Sequence, residues 1–183
     1  HMYILKLNPV FKDYLWGGTK LRDEYGFESN LDKLAEGWML SCHKDGENTI
    51  LNGEYQGKTL TDVVKENPNF LGENGKKFEY FPILIKIIDA KNDLSVQVHP
   101  DNEYAMRVEN EYGKTECWYI LDCDDDAELI YGFNREISSE EFKERISNVS
   151  YSESKLNVMN LSSPTFVLIL RELFVFPIKT SKF

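Results

Sequence analysis

What most limits the fold of this chain is how often its apolar segments are cut short. Tyr3-Ile4-Leu5-Lys6-Leu7 reads as a strand that stops at Asn8-Pro9. Glu36 to Cys42 alternates as a strand, the Asp45-Gly46 turn follows, and Thr49-Ile50-Leu51 starts the next strand. Leu94 to Val98 closes at His99-Pro100. Cys117 to Asp122 runs into an acidic turn at Asp122 to Asp126, and Ala127 to Tyr131 resumes as a strand. Short strands at close spacing, separated by polar turns, specify a sandwich or a barrel. Helical signals are fewer. Thr59 is placed to cap a helix carrying Leu60, Val63 and Val64, ended by Asn67-Pro68. Thr19 to Tyr25 predicts a short helix ended by Gly26, Asp101 caps a turn reaching Glu109, and Ser138-Ser139-Glu140-Glu141 opens a helix marked by Ile137, Phe142 and Ile146. The fold class expected is mainly β, a β-sandwich or jelly-roll barrel, with a few inserted helices.

Composition narrows the function. At 183 residues the expectation is a single domain, and 42% hydrophobic with 13% aromatic residues is enough for a core. The balance of 31 acidic against 21 basic residues, net charge −10, argues against a nucleic-acid partner. An anionic small molecule remains a suitable ligand, because a local cluster of cations outweighs net charge. No apolar run approaches the ~18 residues of a membrane span, and no basic segment followed by an apolar one marks a secretory leader. The three cysteines, Cys42, Cys117 and Cys123, lack paired metal spacing and are expected as free thiols of a cytoplasmic protein. His1-Met2 reads as a tag remnant, so His1 carries no functional weight.

The remaining histidines are His43 and His99. In a strand, residues i and i+2 share a face. Ser95, Gln97 and His99 therefore project together while Val96 and Val98 face the other way. Such a polar face either meets water or lines a site inside a barrel. Glu116 begins a strand whose face it shares with Trp118 and Ile120. A carboxylate on an apolar face is costly unless it meets a cation or a metal. Imidazole nitrogen with carboxylate and amide oxygens suits Zn²⁺ or a similar divalent ion. His43, in Ser41-Cys42-His43-Lys44-Asp45-Gly46, is either a further ligand or a structural turn residue. Phe81 to Ala90 is the most apolar run and predicts a buried strand. Lys86 within it either snorkels from the strand edge or points into a site that needs a cation. Trp16-Gly17-Gly18 is a turn carrying a large aromatic.

Leu94-Ser95-Val96-Gln97-Val98-His99-Pro100-Asp101 followed by Gly113-Lys114-Thr115-Glu116-Cys117-Trp118-Tyr119 resembles the zinc-dependent type I mannose-6-phosphate isomerases in their short bacterial form. Pro9-Val10-Phe11 with Leu15-Trp16-Gly17-Gly18, Glu36-Gly37-Trp38 with Ser41-Cys42-His43, and Phe81-Pro82-Ile83-Leu84-Ile85-Lys86 agree, so the likeness runs in order over residues 3 to 157. The resemblance implies a cupin fold, a jelly-roll barrel with the metal inside. It implies zinc held by Gln97, His99 and Glu116. Lys86, Ser95, Lys114 and Trp16 then lie at the sugar-phosphate site. Lys114 is also the candidate catalytic residue. The implied reaction interconverts mannose 6-phosphate and fructose 6-phosphate by moving a proton between C2 and C1.

The likeness stops before the end of the chain. The family's last zinc ligand is a histidine in a Pro-Ala-Gly-Thr-Val-His-like strand, expected near residue 175, and this chain has no histidine after His99. Pro-Ala-Gly-Thr-Val written CCT-GCG-GGA-ACT-GTT and read one base later, with a pyrimidine following, gives Leu-Arg-Glu-Leu-Phe, the order of Leu170 to Phe174. Residues 162–183 are therefore expected to be an atypical tail on a truncated cupin-like domain, from a frame shift near 161 to 163. The competing expectations are a truncated cupin module without catalysis, and a different cupin enzyme. Dioxygenase-type cupins need more histidines than this chain has.

Overall fold

Local signals set the framework of the first part of the chain. The computed structural model describes residues 3–78, 80–94, 97–125, 127–133, 135–136, 138, 140–141, 144, 156–160, 165–169 and 174–179. Contacts divide the chain into two compact units, residues 1–91 and 92–183.

In the first unit, strand β1 (Leu7–Asn8) pairs antiparallel with β4 (Thr49–Ile50), and β2 (Val10–Lys12), β3 (Glu36–Leu40) and β5 (Ile85–Ile88) form a three-stranded antiparallel sheet in the order β2-β3-β5. The expected strand from Tyr3 is shorter than its sequence suggests. The Asn52 side chain accepts from Lys6 N and donates to Ile4 O, at 2.7 and 3.0 Å, taking the place of a ladder there. The run Phe81 to Ala90 is also corrected. It forms a strand only over Ile85–Ile88, and Ile83 and Ile85 are 51% and 50% exposed. β5 is an edge strand of this sheet, and its register against β3 shifts between Trp38 and Leu40.

The helices of this unit follow their caps. Helix α1 (Lys20–Asp23) ends where Gly26, at φ 72°, lets Gly26 N and Phe27 N donate back to Arg22 O and Leu21 O. Helix α2 (Leu60–Glu66) is capped as expected, with Thr59 Oγ1 accepting from Asp62 N at 3.1 Å. A single turn, α3 (Gly72–Gly75), follows. Leu21, Leu34, Ala35, Ile50 and Val63 are sealed in the core, and Cys42, Leu60 and Val64 gather Leu5, Leu7, Leu40, Leu71, Tyr80 and Phe81 around them. Two polar residues, Ser41 and Asn48, lie fully inside. Asn48 accepts from Ser41 N and donates to Asn8 O and Trp38 O, so its amide is satisfied by three separate segments.

The second unit contains β6 (Gln97–Val98), helix α4 (Asn102–Val108), β7 (Glu116–Ile120), β8 (Glu128–Phe133), β9 (Leu156–Asn160), β10 (Thr165–Ile169) and β11 (Phe174–Lys179). Its sheets are antiparallel: β10 with β7, and a four-stranded sheet in the order β6-β11-β8-β9. The described residues thus build open antiparallel sheets with a few helices, the mainly β class expected, without closing into a barrel. Leu94, Ala105, Ile120, Ala127 and Leu129 are its buried apolar residues among those described. Ser138 Oγ accepts from Glu141 N at 3.1 Å, and Ile137, Ser139, Phe142 and Ile146 lie outside the described residues. No helix among the described residues is long and apolar enough to cross a membrane.

The core and the cap should differ in cost. Leu34→Ala, at a site with no exposure, is expected to lower the unfolding free energy by ~2–5 kcal/mol. Thr59→Ala is expected to lower it by about 1 kcal/mol. Urea denaturation of the two variants checks the order.

Candidate metal and sugar-phosphate site

The site in the second unit is assembled by two loops that run against each other. Asp101 Oδ1 caps α4 by accepting from Tyr104 N at 2.7 Å, which fixes the chain just after His99-Pro100. Lys114 N donates to Pro100 O at 3.3 Å, and Gly113 N donates to Asn102 Oδ1 at 2.9 Å. Gly113 is required by this approach: a Cβ there would stand 2.4 Å from the backbone carbon of Asp101. The contact carries the start of β7 to the end of β6.

As a result, His99 Nε2 lies 3.1 Å from Glu116 Oε2, and both side chains are 13% exposed. Lys114 Nζ lies 2.5 Å from Glu116 Oε1, and Trp118 Nε1 donates to Glu116 Oε2 at 3.3 Å. The alternation of β7 puts Glu116, Trp118 and Ile120 on its covered side and Cys117 and Tyr119 outside. Burial pushes the Glu116 carboxyl up, and the His99 imidazole with the Lys114 ammonium more than reverses this, holding it at about 2.

The His99 nitrogen is the unusual atom. It is buried without a hydrogen-bond partner among the described residues, although the carboxylate oxygen is close. A buried ring nitrogen beside an ionised carboxylate fits a divalent cation, which accepts lone pairs from both. No group of three His, Cys, Asp or Glu side chains that could hold a metal occurs among the described residues. Among the described residues a metal here would draw on His99 and Glu116. Gln97 is in β6, two residues before His99, but its side chain lies outside the described ones, and Ser95 lies wholly outside them.

The remaining candidates are in the first unit. Lys86 of β5 is 19% exposed and pairs with Glu36, its Nζ 3.2 Å from both carboxylate oxygens. It also lies 5.6 Å from the Trp38 ring centre. Trp16 is half-buried in its turn, stacked on Tyr14 at 5.5 Å, and its carbonyl accepts from Lys91 N. The turn is held by Asp89, whose Oδ2 accepts from Lys20 N at 2.7 Å. Burial pushes the Asp89 carboxyl up. His43 serves its own turn: Nδ1 accepts from Asp45 N at 3.2 Å, and the ring packs edge-on against Trp38. Sequence reasoning missed Glu36 and Asn48. Their decisive partners, Lys86 for Glu36 and Asn8 for Asn48, are 50 and 40 residues away, and no local spacing signals them.

Residues 4–129 match the family described as phosphomannose isomerase type I, catalytic domain. The chain belongs to the type I phosphomannose isomerases. It is 52% identical over 146 residues to the probable mannose-6-phosphate isomerase GmuF of Bacillus subtilis, covering 79% of this chain and 45% of that one. It is 47% identical over 131 residues to mannose-6-phosphate isomerase ManA of the same organism, 71% and 41% of the two chains. A crystal structure of the mannose 6-phosphate isomerase from Bacillus subtilis superposes with a TM-score of 0.88 at 38% identity, over 96% of this chain and 55% of that one. The phosphomannose isomerase fold, cupin-type, is therefore present. The chain spans about half the length of the relatives it matches.

Gly113→Ala should wedge the two loops apart against backbone that cannot yield cheaply. A loss of ~1–3 kcal/mol is expected. The His99 ring resonances should also shift, because His99 depends on this approach. Thermal unfolding together with histidine NMR spectra checks both.

Proposed function

We propose that this chain carries the metal-binding and sugar-phosphate elements of an aldose–ketose isomerase that interconverts mannose 6-phosphate and fructose 6-phosphate. The observation that carries the reading is the buried His99 Nε2, 3.1 Å from the Glu116 carboxylate and without another partner among the described residues. Membership of the family and the names of the relatives support it. Three free thiols agree with a cytoplasmic setting.

In this reading His99, Glu116 and Gln97 hold Zn²⁺ within a cupin barrel. The chemistry such an ion supplies is Lewis-acid polarisation of the sugar oxygens. The protein's own groups do the rest. Glu116 stays ionised because Lys114 and His99 compensate its burial. Lys114, an ammonium with three donors, pairs with Glu116 and offers its remaining N–H groups to sugar oxygens that gain negative charge during the isomerisation. Lys86 and Ser95 are the candidate ligands of the phosphate, and Trp16 is a candidate contact of the sugar phosphate. The phosphate needs such local cations because the protein as a whole is acidic.

The alternative, a truncated cupin module without catalysis, draws on the ladder of the tail. β11 pairs Val175 with Gln97, and β10 pairs Ile169 with Glu116. Directly opposed residues of an antiparallel pair share a face. Position 175, where the family's histidine is expected, thus neighbours a ligand strand but holds valine. Residues 162–183 read as an out-of-frame tail, whose strands β10 and β11 pair with β7, β6 and β8 but bring no histidine. Sequencing the coding DNA tests the frame shift.

One comparison tests the whole reading. The protein is expected to bind zinc substoichiometrically and to isomerise mannose 6-phosphate slowly. Val175→His should raise both zinc content and turnover by at least ~10-fold, and His99→Ala should abolish both. Elemental analysis with an assay of fructose 6-phosphate formation measures them. Full zinc with ordinary turnover of ~1–10³ s⁻¹ in the unaltered chain would contradict the impairment. Unchanged zinc in the His99→Ala variant would contradict the site.

A further inference from the structure

The first unit holds a second carboxylate that has been withdrawn from water, and the metal chemistry does not use it. Glu36 opens β3 and is 4% exposed. Register brings three strands to bear on it. Lys12 of β2 is opposite Glu36, and Lys86 of β5 is opposite Trp38. Opposed residues share a face, and so do Glu36 and Trp38 at i and i+2. One face of this sheet therefore carries two lysines, a carboxylate and an indole.

The bonds within this group are directional. Trp38 Nε1 donates to Glu36 Oε2 at 2.7 Å, and Lys86 Nζ donates to Oε1 and Oε2 at 3.2 Å each. Lys12 Nζ lies 4.5 Å from the Trp38 ring centre and donates to Asp45 O. A carboxylate bonded to a ring N–H cannot rotate freely, so it presents both oxygens to Lys86 in one orientation. Lysine is a flexible point charge that loses much rotamer freedom when it is fixed. An ammonium has three donors. Two are taken by Glu36, which leaves one N–H on a side chain that is still 19% exposed.

We propose that Glu36 is a positioning residue for the phosphate end of the substrate. Anchored by Trp38, it holds Lys86 extended from β5 with one donor left for a phosphate oxygen. This rests on the reading of Lys86 as a phosphate ligand. A purely structural ion pair would stabilise the sheet and have no bearing on phosphate affinity.

The test uses the whole chain and three probes: inorganic phosphate, mannose 6-phosphate and mannose. Calorimetry gives their dissociation constants for the wild type, Glu36→Gln and Lys86→Met, with circular dichroism to confirm folding. Glu36→Gln keeps the shape but removes the charge and one acceptor. The expected result is ~10-fold weaker binding of phosphate and mannose 6-phosphate in both variants, with mannose unchanged. If Lys86→Met weakens phosphate binding and a folded Glu36→Gln does not, the positioning role is overturned while the Lys86 reading stands. If neither variant changes phosphate binding, or the wild type binds none, both are overturned. Should Glu36→Gln fail to fold, the wild type still decides. Titration with phosphate should move the Trp38 indole N–H resonance, assigned with Trp38→Phe, with the same dissociation constant as calorimetry. No movement of that resonance overturns the proposal.

Discussion

A carboxylate taken out of water must be compensated where it stands, and the second unit is arranged around that requirement at Glu116. Its two oxygens are shared among the Lys114 ammonium, the Trp118 indole and the His99 ring. The His99 contact forms only where the loop after β6 meets the loop before β7. That meeting depends on the Asp101 cap, on the Asn102 side chain and on the absence of a Cβ at Gly113. A short-range steric condition thus brings residues from two strands to one point. The buried charge at that point, together with an imidazole nitrogen 3.1 Å from it that has no other partner among the described residues, offers a place for a cation.

The first unit meets the same requirement in another way. Glu36 is compensated by Lys86 of the neighbouring strand β5 and by Trp38 two residues on in β3, so the ladder and the alternation of one strand deliver the partners. Removing one member of such a buried pair leaves the other charge uncompensated, at a typical cost of ~3–5 kcal/mol. Asn48 shows the neutral counterpart, with one buried amide satisfied by Ser41, Asn8 and Trp38. Both units therefore use buried polar groups to fix the register of short strands whose apolar contacts alone specify it weakly.

Much of this could be read from residue order. Thr59 and Asp101 are caps because their side chains reach N–H groups three residues on, a local relation visible in the sequence. Period-two alternation placed Glu116 with Trp118 and Ile120, and the covered side of β7 holds those three. Other features were out of reach. The Lys86–Glu36 pair joins residues 50 apart, and nothing near either residue announces the other. The extent of β5 was overstated because apolar character alone does not reveal that a strand lies at a sheet edge beside a register shift. The tail was legible as a departure from the family, whereas its pairing with β6, β7 and β8 depends on ladders formed only in the folded chain.

The claim on which the account turns is that His99 and Glu116 hold a metal ion together. X-ray absorption at the zinc edge, on protein loaded with excess zinc and freed of loosely held metal, tests it directly. The account predicts a single imidazole nitrogen at ~2.0–2.1 Å with the remaining ligands oxygen, and loss of that nitrogen signal in the His99→Ala variant. A spectrum with two imidazoles, which would bring in His43, or with none would contradict it.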